Sequence, residues 1–171
     1  KLDMRMNVNS ILSAKDVVND YSEADLANVF YKYGDLNNSR KISKKIIDAR
    51  EVSSINTTSE LKHVINDLAP KKHMNQFLAR VFQAIRIEVN DEIKALEEML
   101  LSAVDLLNPN GRLVVLSYHS LEDRLVKNLM RKGNVVGKIE KDFFGKPIKE
   151  LQEINSKVIV APECEIRENS R

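Results

Sequence analysis

Tyr118, His119 and Ser120 stand where the apolar run Leu113-Val114-Val115-Leu116 gives way to Leu121-Glu122-Asp123-Arg124. In open α/β sheets ligands bind outside the carboxyl ends of strands, and an imidazole placed there can move a proton or hydrogen-bond a substrate. Ser120, with Asp123 three residues on, also fits a helix cap. That gives those two a structural use and leaves His119 as the group without a capping duty. A second candidate pair is Asp3 and Arg5, in an alternating Leu-Asp-Met-Arg-Met context that suits an extended segment. Its plainest reading is an exposed ion pair. The third group is basic: Arg40, Lys41, Lys44 and Lys45, then Lys71 and Lys72 after Pro70, then Arg80 and Arg86. Such residues either hold phosphates or form a solvated helix face.

Other chemistries are poorly supported. The five glycines are scattered, with no phosphate- or dinucleotide-type loop among them. There is no serine elbow, and the three histidines and one cysteine show no zinc-ligand spacing, so no metal is expected. Cys164 alone forms no intramolecular disulfide and fits a reducing compartment. No apolar run approaches the ~20 residues of a membrane span and no signal peptide is visible, so the cytoplasm is the expected location. A net charge of +2 predicts no partner for the chain as a whole. Its distribution is uneven, however, basic from Lys32 to Arg50 and mostly acidic from Asp91 to Asp105.

The elements that must position these residues change character along the chain. Ser13-x-x-Asp16, Ser22-x-x-Asp25, Asn38-Ser39 and Thr57-x-x-Glu60 each precede a helical apolar pattern, with Gly34 and Pro70 as stops. Residues 11–72 therefore read as an all-helical unit. From Leu78 to Leu107 apolar residues recur at steps of three or four, which predicts one long helix. Gln83, Arg86 and Asn90 share a different flank of it. Asn108-Pro109-Asn110-Gly111 turns the chain into a strand at 112–117 and a helix at 121–132. Phe143-Phe144 are expected to pack, 157–160 to form another strand, and Glu163 to Asn169 a last helical turn. Helix, tight turn, apolar strand and helix in that order are an α/β pattern. Two strands cannot make a covered sheet, so a fragment of a larger α/β protein with a helical insert is the expectation.

Four stretches together resemble a known family, the bacterial S-adenosylmethionine-dependent methyltransferases that modify N4 of a cytosine in small-subunit (16S) ribosomal RNA. They are Leu2-Asp3-Met4-Arg5-Met6-Asn7, the run Val81 to Glu92, the run Gly111 to Arg124, and Pro162-Glu163-Cys164-Glu165-Ile166-Arg167-Glu168-Asn169. Asn75-Gln76-Phe77-Leu78-Ala79-Arg80 departs from the family's His-Pro-Ala-Thr-Arg and keeps only Arg80. The resemblance implies the C-terminal part of a class I (Rossmann-like) methyltransferase, with residues 1–10 ending an N-terminal segment. Residues 11–72 would be a substrate-recognition insert and 73–171 the C-terminal segment. It implies S-adenosylmethionine as cofactor, held by residues before Lys1 and by none in this chain, and a closing strand after Arg171. Small-subunit ribosomal RNA or the assembling 30S subunit would be the partner. His119, Ser120, Asp3 and Arg5 are the candidates for the substrate pocket, with the basic residues above holding RNA. A non-catalytic helical RNA- or protein-binding module is the alternative.

Overall fold

The structure, a computed structural model, describes residues 1–69, 71–155 and 159–169, with the backbone alone at Lys71. It divides into two compact units, Lys1–Leu96 and Glu97–Arg171.

The first unit holds α1 (Ala14–Asp20), α2 (Glu23–Gly34), α3 (Ser39–Val52), α4 (Thr58–Ile65) and α5 (Met74–Asn90). Short 3-10 turns at Asn66–Leu68 and Lys71–His73 link the last two. The starts are chemically specified: full capping boxes form at Ser13/Asp16 and Thr57/Glu60, and the Ser22 hydroxyl accepts from the Asp25 N–H. Each cap supplies a partner for backbone groups that a helix end leaves open. α2 packs against both α3 and α5. The periodic apolar faces meet in one core that contains Phe30, Leu26, Ile42, Ile46, Val81 and Ile85, none of them exposed. Burying side chains of this size stabilises by roughly 1.5–3 kcal/mol each, before conformational entropy is set against it.

Gly34 does something other than stop α2. It is the last helical residue, and the left-handed conformation falls on Asp35 (φ 52°), whose N–H donates to the Phe30 carbonyl. A Cβ on Gly34 would lie 3.0 Å from Leu36 Cδ1, 3.1 Å from the Arg80 carbonyl oxygen and 3.3 Å from Ala84 Cβ. Glycine is there because α5 comes close.

The long helix expected over Leu78–Leu107 is two helices, α5 and then α6 (Glu92–Leu106). Asp91 separates them in the left-handed region (φ 50°), donating its N–H to the Glu88 and Ile87 carbonyls. Aspartate tolerates that conformation better than most side chains. The side chains on either side are also occupied: Asn90 is bound to the Met4–Met6 segment and Glu92 to Arg86. An apolar stripe records which face is buried and is blind to a one-residue break of this kind.

The second unit contains α7 (Ser120–Lys132) and α8 (Glu163–Glu168). The expected strand at 112–117 does not form, nor does any other strand among the described residues, where one isolated bridge joins Lys141 and Pro147. The pattern behind the expectation is nevertheless visible: Leu113, Val115 and Ser117 are half-buried while Val114 and Leu116 are exposed. A strand needs a neighbour to satisfy its main-chain groups, and none of the described residues provides one. Of the strand expected at 157–160, residues 157 and 158 lie outside the described residues. Ile159 and Val160 are exposed and unpaired in any ladder. Phe143 and Phe144, expected to pack, are 98% and 83% exposed.

The tight helix contact yields a stability prediction. Gly34→Val should destabilise the chain by about 1–3 kcal/mol in urea unfolding, the range for overpacking a filled site. An unchanged midpoint would mean that α5 can retreat from α2.

Candidate functional site

The segment Met4–Met6 lies along α5 and is fastened there by one side chain. Asn90 Nδ2 donates to the Met4 carbonyl at 2.8 Å, and Asn90 Oδ1 accepts from the Met6 N–H at 2.7 Å. The amide thus pairs with the main chain on both sides of Arg5, as a neighbouring strand would. Met4 adopts the left-handed region (φ 63°), unusual for a residue that is neither Gly, Asn nor Asp. Strain of this sort persists only where the surroundings fix it, and it clusters at functional sites.

Asp3 and Arg5 form a two-point ion pair, Nε to Oδ1 at 2.7 Å and Nη2 to Oδ2 at 3.1 Å. Arg5 Nη1 donates in addition to the Val8 and Ser10 carbonyls. The pair is only partly exposed, and most of the guanidinium is spent on shaping its own loop. The Arg5 hydrogen bonds hold the Asp3 carboxyl well below its usual 3.8, at about 2. Asp16 is lowered chiefly by the Ser13 hydroxyl, and Glu60 chiefly by the Asn56 N–H.

Met4, Arg5 and Met6 line one side of an open cleft of about 610 Å³, with Ala79, Phe82, Gln83 and Arg86 of α5 on the other. The flank of α5 marked by Gln83, Arg86 and Asn90 is thus the flank that carries this cleft. Gln83 Nε2 donates to the Tyr33 carbonyl at 3.4 Å. Arg86 is held by Glu92 in a two-point pair at 2.8 and 3.0 Å.

The basic residues divide by partner. Arg40, Lys41 and Lys44 are exposed on α3, and no acidic side chain pairs with them among the described residues. Lys45 is paired with Asp67. Lys72 and Arg80 are exposed, while the Lys71 side chain lies outside the described residues. The N-terminus of α3 carries no acidic residue in its first turn, and Asn38 makes no side-chain cap there. The first-turn N–H groups of Ser39 and Lys41 nevertheless donate to the Leu36 and Asn38 carbonyls, so what this end of α3 offers an anion is the exposed Arg40, Lys41 and Lys44 side chains.

His119 has a duty that the sequence assigned to its neighbour. It is the N-cap of α7, with Nδ1 accepting from the Glu122 N–H at 3.4 Å, while Ser120 is the first helical residue and is exposed. The reciprocal contact comes from Glu122, whose Oε2 accepts from the Tyr118 N–H at 2.9 Å. Asp123, the expected partner of Ser120, pairs with Lys127 instead. Acceptance at Nδ1 places the proton of a neutral imidazole on Nε2. That atom is buried 3.2 Å from Glu122 Oε1, without the alignment of a hydrogen bond. Asp3 and Arg5 belong to the first compact unit, His119 and Ser120 to the second.

Comparison with known proteins decides the family. The MraW methylase family matches residues 1–171. The chain belongs to that family. It is 53% identical over 170 residues to a Bacteroides thetaiotaomicron protein named "Ribosomal RNA small subunit methyltransferase H", covering 99% of this chain and 56% of that protein. Proteins of the same name from Amoebophilus asiaticus and Flavobacterium johnsoniae are 45% and 44% identical over 99% and 100% of this chain, and 55% and 56% of their own lengths. The chain thus spans a little over half the length of the curated relatives it matches. This member of the MraW methylase family carries its cleft on the Leu2–Asn7 and Val81–Glu92 stretches that drew attention in the sequence.

Sequence reasoning missed Met4, Met6, Ala79 and Phe82 as cleft residues, because apolar side chains carry no signal of facing a cavity rather than a core. It missed Glu122 as the capping partner, although Glu three residues after His119 was the available signal.

Two outcomes follow for the first unit. Asn90→Ala should cost about 1–2 kcal/mol in urea unfolding, since two main-chain groups lose their partner at a half-exposed site. It should also speed limited proteolysis near Met6; unchanged cleavage would show that the clamp does not hold the segment. Acid acts through the lowered carboxyls. A depressed folded-state pKa stabilises above the unfolded value, and that contribution is lost as pH falls through the folded one. Asp3 should therefore support the fold above about pH 4 and cease to do so toward pH 2. Thermal melts followed by circular dichroism should show a smaller acid loss for Asp3→Asn than for the unsubstituted chain between those pH values.

Proposed function

We propose that this chain is the RNA-facing part of a methyltransferase that moves a methyl group from S-adenosylmethionine to N4 of a cytosine in small-subunit ribosomal RNA. The observation that carries this reading is the similarity to the Bacteroides thetaiotaomicron "Ribosomal RNA small subunit methyltransferase H" along 99% of the chain. A similarity running the whole length favours an enzyme segment over a separate non-catalytic binding module. The assembling 30S subunit and a cytoplasmic location are part of the same proposal. Among the described residues no helix is long and apolar enough to cross a membrane, and no group of three His, Cys, Asp or Glu could hold a metal ion.

The described residues do not fit S-adenosylmethionine as a cradle. The glycines serve elsewhere: Gly34 at a helix contact, Gly111 in the turn closed by its N–H on the Asn108 carbonyl, Gly133 as the C-cap of α7, and Gly137 and Gly145 in left-handed turn conformations. We place the cofactor's site in the remainder of the parent enzyme, together with the strands that would complete a class I sheet around 112–117. The alternating burial of 113–117 supports that placement, because it suits a strand with one face covered.

The cytosine amine is a weak nucleophile because its lone pair is delocalised into the ring, so the protein's task is to fix its direction and accept hydrogen bonds from it. The base must also leave its stack. The cleft of Met4, Arg5, Met6, Phe82 and Gln83 suits that task in kind: apolar walls with few polar groups. With its nitrogen on the Tyr33 carbonyl, Gln83 keeps an oxygen as acceptor. Asp3 acts through Arg5, by shaping the loop that carries Met4 and Met6. His119, with Nδ1 on the cap and Nε2 buried beside Glu122, would shape its own corner of the substrate pocket, and Ser120 beside it supplies an exposed hydroxyl. Arg40, Lys41 and Lys44 would hold phosphates through their exposed side chains, with Lys72 and Arg80 as further contacts, while Lys45 and Arg86 would first have to leave Asp67 and Glu92. Residues 11–72 would form the recognition insert between segments 1–10 and 73–171.

The test uses the full-length protein that carries this chain, labelled S-adenosylmethionine and small-subunit ribosomal RNA. Label recovered as N4-methylcytosine supports the reading, and label on another atom or none at all refutes it. In the same assay His119→Gln should lower the rate; unchanged kcat and RNA affinity would remove His119 from the site.

A further inference from the structure

The segment after α7 ends in a built aromatic tip that the proposed function does not use. Its base is anchored. Gly133, left-handed at φ 80°, donates its N–H to the Leu129 carbonyl, and a Cβ there would lie 2.5 Å from the Ile148 carbonyl oxygen. Arg131 pairs with Glu153 at 3.1 Å, and the Lys132 ammonium donates to the Gly137 carbonyl at 2.9 Å. The two arms are joined by the Ile148 N–H to the Glu140 carbonyl and the Asp142 N–H to the Lys146 carbonyl, at 2.9 and 2.8 Å. The tip is closed by the Asp142 carboxylate, whose Oδ1 accepts from the Phe144 and Lys146 N–H groups at 2.9 and 2.8 Å, and by Gly145 at φ 81°. Phe143 and Phe144 stand on this turn edge to face, ring centroids 5.5 Å apart, almost fully exposed.

Two adjacent phenylalanines held in water by a hydrogen-bonded turn are costly unless something covers them. Their surroundings say what kind of partner that is. Lys138, Lys141, Lys146 and Lys149 lie on the two arms, against Glu140 and an Asp142 already engaged by the turn. None of those four ammonium groups pairs with a carboxylate among the described residues. Exposed rings between unpaired lysines match single-stranded nucleic acid, where bases stack on aromatic faces and lysines meet the backbone. The bonds from Asp142 to the Phe144 and Lys146 N–H groups fix the main chain of the turn beforehand, so its backbone needs little further ordering on binding.

We propose that the Phe143–Phe144 tip is a second RNA contact, separate from the cleft, which stacks on unpaired bases of the RNA substrate while Lys141 and Lys146 meet the adjoining phosphates. This rests on the reading of the protein as an RNA methyltransferase.

Fluorescence anisotropy with labelled single-stranded RNA separates the two. Three forms of the chain are titrated: unsubstituted, Phe143→Ala/Phe144→Ala, and Lys41→Ala/Lys44→Ala. The phenylalanine variant should bind about tenfold more weakly, the size expected for loss of one stacked base. An oligonucleotide with abasic sites should bind the unsubstituted chain about as weakly, and Phe143→Trp/Phe144→Trp should restore affinity for the normal one. Circular dichroism checks that exposed substitutions leave the helices intact. If the chain binds RNA and the phenylalanine variant binds equally well, the tip contact is overturned and the RNA reading stands. If the unsubstituted chain binds no RNA at all, both fall. If the phenylalanines matter only for sedimentation with phosphatidylserine vesicles, the tip is a lipid contact and the proposal is overturned.

Discussion

The close approach of α5 to α2 at Gly34 is the constraint on which the first unit turns. α5 has two uses, and they compete for the same surface. One face must bury Val81, Ala84 and Ile85 in the core, and the adjoining flank must remain free to receive the Met4–Met6 segment. The absence of a Cβ at Gly34 lets α2 come near the Arg80 carbonyl and take up the first face completely. The second face is then defined by what is left. Gln83 and Arg86 on that flank line the cleft, and Asn90 at its end fastens the Met4–Met6 segment that forms the opposite wall.

Local chemistry dominates the helical part, which explains how much of it was legible. Ser13 with Asp16 and Thr57 with Glu60 specify helix starts within four residues, and the apolar spacing of α2, α3 and α4 specifies the buried face. What escaped the sequence depended on distant partners. The break at Asp91 is tied to Asn90 reaching a segment more than eighty residues away, and the role of Gly34 depends on the carbonyl of Arg80. The strand at 112–117 failed for the complementary reason, since its alternation is a local property while a ladder is not. Phe143-Phe144 misled because apolar character measures what a side chain would prefer, and a turn closed by Asp142 can deny it.

At the candidate site the same division holds. Asp3 and Arg5 were identifiable as a pair from their spacing. That the pair would spend its hydrogen bonds on the Val8 and Ser10 carbonyls could be seen only in three dimensions. His119 was singled out as the one polar residue without a structural duty, and it has one. A histidine cap is possible because Nδ1 can accept, and it commits the ring to a single tautomer. The other nitrogen, Nε2, is buried beside the Glu122 carboxylate.

The Asn90 clamp also has a bearing on the order in which the chain acquires its shape. The capping boxes and the Asp3–Arg5 pair close loops of a few residues and can form as soon as those segments exist. The clamp closes a loop of 84 to 86 residues, so its entropy cost is met only after α5 has docked on the core. Closing the cleft therefore costs more chain entropy than closing any of the capping boxes. Because its amide bonds lie at the surface, the cleft is also the part that can open and reclose while the helices beneath it stay folded.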